Sequence, residues 1–214
     1  MKKTPIAHLR REYRGHPLDE SRLPTRPLPF FEKWFQEALK AKLLDANAFT
    51  VSTLTALGRP AARTVLLKGV DAKGLTFFTN YESQKGRELH RKPYASLLFL
   101  FRELSRQVRV DGRVEKVSNR ESDAYFKTRP RGSQLGAWAS DQSRVIASRD
   151  YLEGRLKFFE SKFKGLPVPR PPHWGGFRVL PDLVEFWQGR PNRLHDRVRY
   201  RLTSGHWKRE RLSP

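Results

Sequence analysis

Apolar and polar positions alternate along the chain with two different periods, separated by proline and glycine breaks. The first 28 residues are polar, basic and dotted with proline (Pro17, Pro24, Pro27), which predicts an extended or mobile arm. In PFFEKWFQEALKAKLLD, Phe30, Trp34 and Ala38 recur every four residues with Phe31, Phe35 and Leu39 beside them. That spacing predicts an amphipathic helix of about four turns. From Ala48 the pattern changes. AFTVSTLTA, ARTVLLKGV and LTFFTN are rich in β-branched and aromatic residues and are separated by Gly58-Arg59-Pro60 and Asp71-Ala72-Lys73-Gly74, so they read as strands. A short helix is expected from Ser83. YASLLFLF and RQVRVDGRVEKV follow as strands, with a bulge or bend expected at Gly112. Ser118 and Glu121 have the spacing of a capping box, opening a helix to about Lys127.

RPRGSQLGAWASDQS reads as a loop-rich segment, and YLEGRLKFFESKF as a helix with Leu152, Leu156 and Phe159 on one stripe. After the proline loop GLPVPRPPHWGG, the stretches FRVLPDLVEFWQG, RVRYRL and HWKRERL complete a set of about eight strands and four helices. Short connections between strands disfavour a doubly wound parallel sheet. They predict an all-β-dominated α+β chain, an antiparallel barrel with peripheral helices. The expected organisation is an arm over residues 1–28 and a single domain over 29–214.

Composition narrows the chemistry. A length of 214 residues suffices for one sizeable core, and fourteen Phe with five Trp argue for a folded chain despite only 37% hydrophobic residues. The absence of cysteine excludes disulfides, thiolate metal sites and thiol nucleophiles. The start MKKTPIAHLRREYRGH has no apolar run and does not read as a signal peptide. No stretch is apolar enough to span a membrane. The 43 Lys and Arg against 22 Asp and Glu leave a net charge of +21, spread along the chain. Such a charge attracts polyanions, so a basic nucleic-acid-binding barrel with exposed aromatics is one reading. Neither G-x-G-x-x-G nor G-x-x-x-x-G-K-[ST] is present, which removes the usual dinucleotide and P-loop fingerprints.

Three clusters are candidates for chemistry. Arg63-Thr64-Val65-Leu66-Leu67-Lys68 is an apolar strand with basic ends, either plain charged ends or an anion site at the strand rim. Tyr125 and Arg129 are four apart, and Gly132 permits a turn that returns Ser133 toward them. A phenol, a guanidinium and a hydroxyl suit a phosphate monoester, although a helix end with ordinary surface charge has the same spacing. In GRPNRLHDR, an extended backbone would put Arg193, His195 and Arg197 on one face, beside Phe186 and Trp187. Such a face suits solvent, an anion or an electron-rich ring. Asp196 could neutralise one charge. Six histidines without metal-type spacing, no G-x-S-x-G and no marked carboxylate pair argue against zinc, serine-hydrolase and paired-acid chemistry.

Together these stretches resemble the pyridoxine (pyridoxamine) 5′-phosphate oxidase family. The resemblance is carried by His8-Leu9-Arg10-Arg11-Glu12-Tyr13, Arg63 to Lys68, Phe77-Phe78-Thr79-Asn80 and Arg106-Gln107-Val108. It continues through Tyr125-Phe126, Arg129-Pro130-Arg131, Ser133-Gln134-Leu135-Gly136-Ala137-Trp138 and Gln142-Ser143. Trp174-Gly175-Gly176-Phe177-Arg178, Glu185-Phe186-Trp187-Gln188-Gly189 and Arg193-Leu194-His195-Asp196-Arg197 complete it, from residue 8 almost to the C-terminus.

The resemblance implies a homodimeric split β-barrel with FMN at the subunit interface. It implies oxidation of pyridoxine or pyridoxamine 5′-phosphate to pyridoxal 5′-phosphate, with molecular oxygen reoxidising the flavin to give hydrogen peroxide. Implied FMN contacts are Arg63, Thr64, Val65, Leu66, Leu67, Lys68, Phe78, Thr79, Gln84, Lys85, Gln107, Gln142, Ser143, Trp187 and Arg197. Lys68, Tyr125, Arg129 and Ser133 would hold the substrate phosphate. Arg193 and His195 would meet the pyridine ring and its reacting carbon, His195 as a base or as an orienting group. Arg10 and Tyr13 would close over the substrate. A cytoplasmic location is expected, without need of nucleic acid.

One position departs from the family pattern. An arginine commonly precedes the lysine equivalent to Lys85, and here it is Gln84. The change either weakens a grip on the FMN phosphate or is compensated by another basic residue. It is also similar to the phenazine-biosynthesis flavin oxidases, the alternative family reading, while Lys68, Tyr125, Arg129 and Ser133 favour the vitamin B6 substrate.

Overall fold

The computed structural model describes residues 6, 9, 12–13 and 15–214. Among them are nine strands and five helices: β1 Ala48–Leu54, β2 Pro60–Leu66, β3 Gly69–Val70, β4 Leu75–Asn80, β5 Tyr94–Phe101, β6 Arg106–Lys116, β7 Trp174–Gln188, β8 Asp196–Thr203 and β9 His206–Leu212. The helices are α1 Pro27–Lys40, α2 Gln84–Arg91, α3 Asn119–Thr128, α4 Arg131–Ala139 and α5 Arg149–Lys162. The strands are hydrogen-bonded in the order β2-β1-β5-β6-β7-β4-β3, with β8 pairing β7 and β9. The β3–β4, β4–β7, β7–β8 and β8–β9 pairs are antiparallel. β7 changes partner along its length. Its first half faces β4, from Asn80 opposite Trp174 to Leu75 opposite Val179, and its second half faces β8, from Leu183 opposite Arg201 to Gln188 opposite Asp196.

The chain divides into two compact units. The first comprises the described residues up to Phe49, Leu97–Val110 and Asp182–Pro214. Its core follows the helical period of α1, which opens with Pro27 at the start of the first turn, where a missing N–H costs nothing. Phe30 and Trp34 pack on Phe186 at ring-centroid distances of 4.6 and 5.3 Å, and Phe31 packs on Phe99 at 4.9 Å. Each buried aromatic ring of this kind stabilises the fold by roughly 1.5–3 kcal/mol. Part of the expected arm is tied to this unit. Gly15 N–H donates to Gly189 O (3.1 Å), Leu18 N–H to Asp196 (3.1 Å), and the Tyr200 hydroxyl to Pro24 O (2.8 Å).

The second unit comprises Thr50–Ser96 and Asp111–Pro181. The Ser118–Glu121 capping box forms as expected, each side chain satisfying the other residue's backbone N–H. The segment expected as a loop after Arg129 is instead helix α4. Two glycines and a serine make it a poor helix former in isolation. Its stability comes from Leu135 and Ala139, which lie on one face and bury in a cluster with Phe126, Phe159, Phe163 and Trp174. The stretch expected as one strand after Pro60 is broken into β2 and β3 around Leu67 and Lys68, which accounts for the ninth strand.

Strand β6 runs through Gly112 without interruption. The glycine is required by a close approach, because a Cβ there would lie 2.2 Å from the Leu180 carbonyl oxygen. Gly112→Ala is therefore expected to destabilise the protein by about 1–3 kcal/mol. A lower urea midpoint at unchanged slope checks this, and an unchanged midpoint contradicts it.

Candidate active site

In the second unit, the end of β2 and the break after it turn toward α3, α4 and β4. A cavity of about 430 Å³ opens there. Thr64, Val65, Leu66 and Lys68 line it from the β2 side, Phe78, Thr79 and Lys85 from β4 and α2, and Tyr125, Arg129, Ser133 and Gln142 from the helical side. Arg129 caps the C-terminus of α3, and Ser133 lies in the first turn of α4, so two helix ends separated by Pro130 bring them to one wall. A stack of rings backs this wall. Phe78 and Tyr125 lie 4.1 Å apart at 19°, and Tyr125 and Trp174 lie 6.1 Å apart at 9°. The Arg129 guanidinium sits 4.6 Å from the Trp174 ring centre.

Three cations line this cavity, and no carboxylate does. Arg129 Nη1 is buried and finds no hydrogen-bond partner among the described residues. Burial lowers the Arg129 pKa, opposed by the charge of Tyr125. Lys85 is also buried, its ammonium donating to Thr79 Oγ1 (3.2 Å) and Gln142 Oε1 (3.3 Å). Burial pushes the Lys85 pKa down, helped by Arg63 and opposed by Glu88. Leaving buried cations unneutralised is costly unless an anion completes the site.

A second cavity, of about 540 Å³, is lined by Arg63, Thr64, Gln84, Lys85, Gln142 and Ser143, again without a carboxylate. The Arg63 guanidinium is anchored by one backbone carbonyl of this lining and by two side chains outside it. It donates to Thr53 Oγ1, to Ala61 O (3.1 Å) and to Glu88 (3.0 Å). Gln84 lies on the wall, but its amide donates to Glu88 Oε1 (2.8 Å). Leu67 is buried in the core and lines neither cavity.

The first unit holds the remaining expected residues. Tyr13, Gln107 and Trp187 line a cavity of about 410 Å³. Tyr13 meets Trp187 and His195 edge-on, both at 5.4 Å, and Trp187 and His195 lie 4.6 Å apart. GRPNRLHDR is not extended. Pro191–Arg193 form a 3-10 turn in which Asn192 and Arg193 have positive φ (55° and 62°), and β8 starts only at Asp196. The alternation of Arg193, His195 and Arg197 that an extended backbone would give therefore does not form. Arg193 is exposed. Arg197 grips buried Glu185 through Nε (2.8 Å) and Nη2 (2.7 Å) and donates to Ser213 O (2.9 Å). Asp196 neutralises Arg190 and Arg211. Arg10 lies outside the described residues.

His195 Nδ1 accepts the Arg190 backbone N–H at 3.0 Å, so the neutral ring carries its proton on Nε2. Burial lowers the His195 pKa, and the Arg193 charge lowers it further.

Residues 35–161 match the family model described as pyridoxamine 5′-phosphate oxidase. Residues 174–214 match the model for the pyridoxine 5′-phosphate oxidase C-terminal dimerisation region, which supports a homodimer. The pyridoxine/pyridoxamine 5′-phosphate oxidase of Cupriavidus necator is 57% identical over 212 residues, covering 99% of this chain and 100% of its own. That of Acaryochloris marina is 54% identical over 211 residues, covering 99% and 96%. The chain belongs to the pyridoxine/pyridoxamine 5′-phosphate oxidase family.

Among solved structures, this family member superposes on PhzG from Burkholderia lata 383, solved with tetrahydrophenazine-1-carboxylic acid. The TM-score is 0.88 at 29% identity, over 94% of this chain and 99% of that one. A pyridoxamine 5′-phosphate oxidase-related, FMN-binding protein from Nostoc punctiforme shares the fold, with TM-score 0.71 at 18% identity over 90% and 100%. The fold is the family's split barrel. No described helix is long and apolar enough to cross a membrane.

Trp174 and the pair Thr53–Glu88 escape a reading of the site from sequence alone. Trp174 shows itself through its stack with Phe78 and Tyr125 and its contact with Arg129. Glu88 has one local signal, its i,i+4 spacing from Gln84.

The depressed pKa of His195 has a definite sign. Its neutral form stabilises the fold above the unfolded value of about 6.5, and that contribution is lost as pH falls through the window down to the lower folded value. An NMR titration is expected to give a His195 midpoint below 6.5, moving upward in Arg193→Gln. A midpoint at or above 6.5 contradicts the assignment.

Proposed function

We propose that the chain is an FMN-dependent oxidase that converts pyridoxine 5′-phosphate or pyridoxamine 5′-phosphate to pyridoxal 5′-phosphate. The observation that carries this reading is the pair of cation-lined, carboxylate-free cavities sharing Thr64, Lys85 and Gln142. Two phosphate monoesters, one on the cofactor and one on the substrate, match that donor set. Relatives at 54% and 57% identity over nearly the whole chain carry the corresponding name.

The residues fit FMN. Arg63, Lys85, Gln142 and Ser143 would hold its phosphate. Thr64, Val65, Leu66, Phe78 and Thr79 would line its body, and Gln107, Trp187 and Arg197 would approach it at the interface of two copies. Leu98 and Leu100, exposed on β5, give a second copy an apolar surface. When bound, FMN supplies the hydride acceptor and, through molecular oxygen, returns to its oxidised state with release of hydrogen peroxide.

The protein's task is to hold and orient. Lys68, Tyr125, Arg129 and Ser133 fix the substrate phosphate, which sets the position of the reacting carbon. With Nδ1 engaged, neutral His195 can only donate, from Nε2. This favours orientation of the substrate's oxygen or nitrogen over proton removal. Arg193 would supply charge beside it, and Tyr13 would close the site against water. A cytoplasmic homodimer accompanies this reading.

PhzG supports a second reading, a flavin oxidase acting on phenazine precursors. Its 29% identity, against 54% and 57% for the B6 oxidases, places it behind.

Arg129→Ala is expected to raise KM for pyridoxine 5′-phosphate about 10–100-fold, the loss of a charge-assisted hydrogen bond, with little change in FMN affinity. Unchanged KM in a peroxide-release assay contradicts the phosphate role. Arg193→Ala is expected to keep FMN bound while kcat falls at least about tenfold; normal turnover removes Arg193 from the site.

A further inference from the structure

Glu88 lies behind the wall of the 540 Å³ cavity, on α2, and is buried. It accepts three hydrogen bonds: from Thr53 Oγ1 at 2.5 Å, from Gln84 Nε2 at 2.8 Å and from Arg63 Nη2 at 3.0 Å. Burial alone would raise its pKa, but the bonds from Thr53 and Gln84 and the Arg63 charge hold the carboxyl below its ordinary value. It is a carboxylate, and it does not line the cavity.

A count of donors shows what this arrangement achieves. A guanidinium has five N–H donors. Nη1 of Arg63 donates to Thr53 and Ala61, and Nη2 gives one bond to Glu88. The donors left over are Nε–H and one Nη2–H. Neighbouring N–H groups of this kind form the fork that a phosphate accepts side-on. Lys85 has three donors, two of them directed to Thr79 and Gln142, which leaves one. Gln84, at the position where a second basic residue would add a grip, is bound to Glu88.

We propose that Glu88, with Thr53, is a positioning residue that locks the Arg63 guanidinium with one bidentate edge turned to the cofactor phosphate, and that Gln84 supports this lock instead of gripping the phosphate. The inference rests on the FMN reading above. It also opposes simple electrostatics. Glu88 is a negative charge near an anion site, so removing it without any positioning role should tighten phosphate binding. If it positions Arg63, removal should weaken binding. In Glu88→Gln the charge is lost and one of the two accepting oxygens becomes an NH2 group, so the side chain can no longer accept from both Arg63 at Oε2 and Gln84 at Oε1, and its hold on the guanidinium weakens.

The test is titration of the full-length chain, stripped of flavin, with FMN and separately with riboflavin, read by quenching of flavin fluorescence. Riboflavin lacks the phosphate and reports the rest of the site. Glu88→Gln is expected to weaken FMN about tenfold or more while riboflavin changes less than about twofold. Thr53→Val keeps the side-chain shape and removes only the hydroxyl, so it guards against a variant that fails to fold. It is expected to show a smaller loss of the same kind, again confined to FMN.

FMN affinity unchanged or tighter in both variants overturns the positioning role. An equal loss for both flavins also overturns it, since that is the mark of a structural role. Wild-type protein that binds FMN no better than riboflavin overturns the phosphate placement itself, whatever the variants do.

Discussion

The constraint on which the site depends is that its cations must face a cavity while any carboxylates that hold them lie behind the wall. Arginine and lysine buried without counter-charge are unstable, and with counter-charge at the cavity surface they cannot receive an anion. Arg63 resolves this through Glu88 on α2. Lys85 is held by neutral oxygens of Thr79 and Gln142, and Arg129 is held against the Trp174 ring. The acids of this strongly basic chain are placed so that the lining of both cavities carries none.

The fold serves that placement. The break between β2 and β3 lets Arg63 and Lys68, five residues apart, line neighbouring cavities that share Thr64. Pro130, at the junction of α3 and α4, brings Arg129 and Ser133 to one wall. The stack of Phe78, Tyr125 and Trp174 gives this wall a rigid base, because parallel rings at these distances pack with little freedom. In the other unit, Tyr13, Trp187 and His195 form a second aromatic group, and the backbone of Arg190 fixes the tautomer of His195.

Elements governed by local periodicity were legible in the sequence. The four-residue repeat of Phe30, Trp34 and Ala38 marked α1, and Ser118 with Glu121 marked the start of α3. Helix α4 was not legible, because Gly132 and Gly136 argue against it and only burial of Leu135 and Ala139 under α5 overrides them. The turn at Asn192 and Arg193 was not legible, since non-glycine residues seldom take positive φ. Spacing alone left the three basic clusters open between surface charge and anion site, and the family resemblance supplied their roles. Glu88 and Thr53 stayed hidden because their partnership with Arg63 joins α2, β1 and β2, which no local pattern reports.

The most direct measurement is anaerobic mixing of the purified protein with pyridoxine 5′-phosphate or with unphosphorylated pyridoxine while the visible flavin band is followed. The expected result is bleaching at low concentrations of the phosphorylated compound and recovery when air is admitted, with pyridoxine itself far less effective. A colourless protein that does not retain FMN, or a flavin band that responds equally to both compounds, would contradict the claim that the cation-lined cavities hold two phosphates.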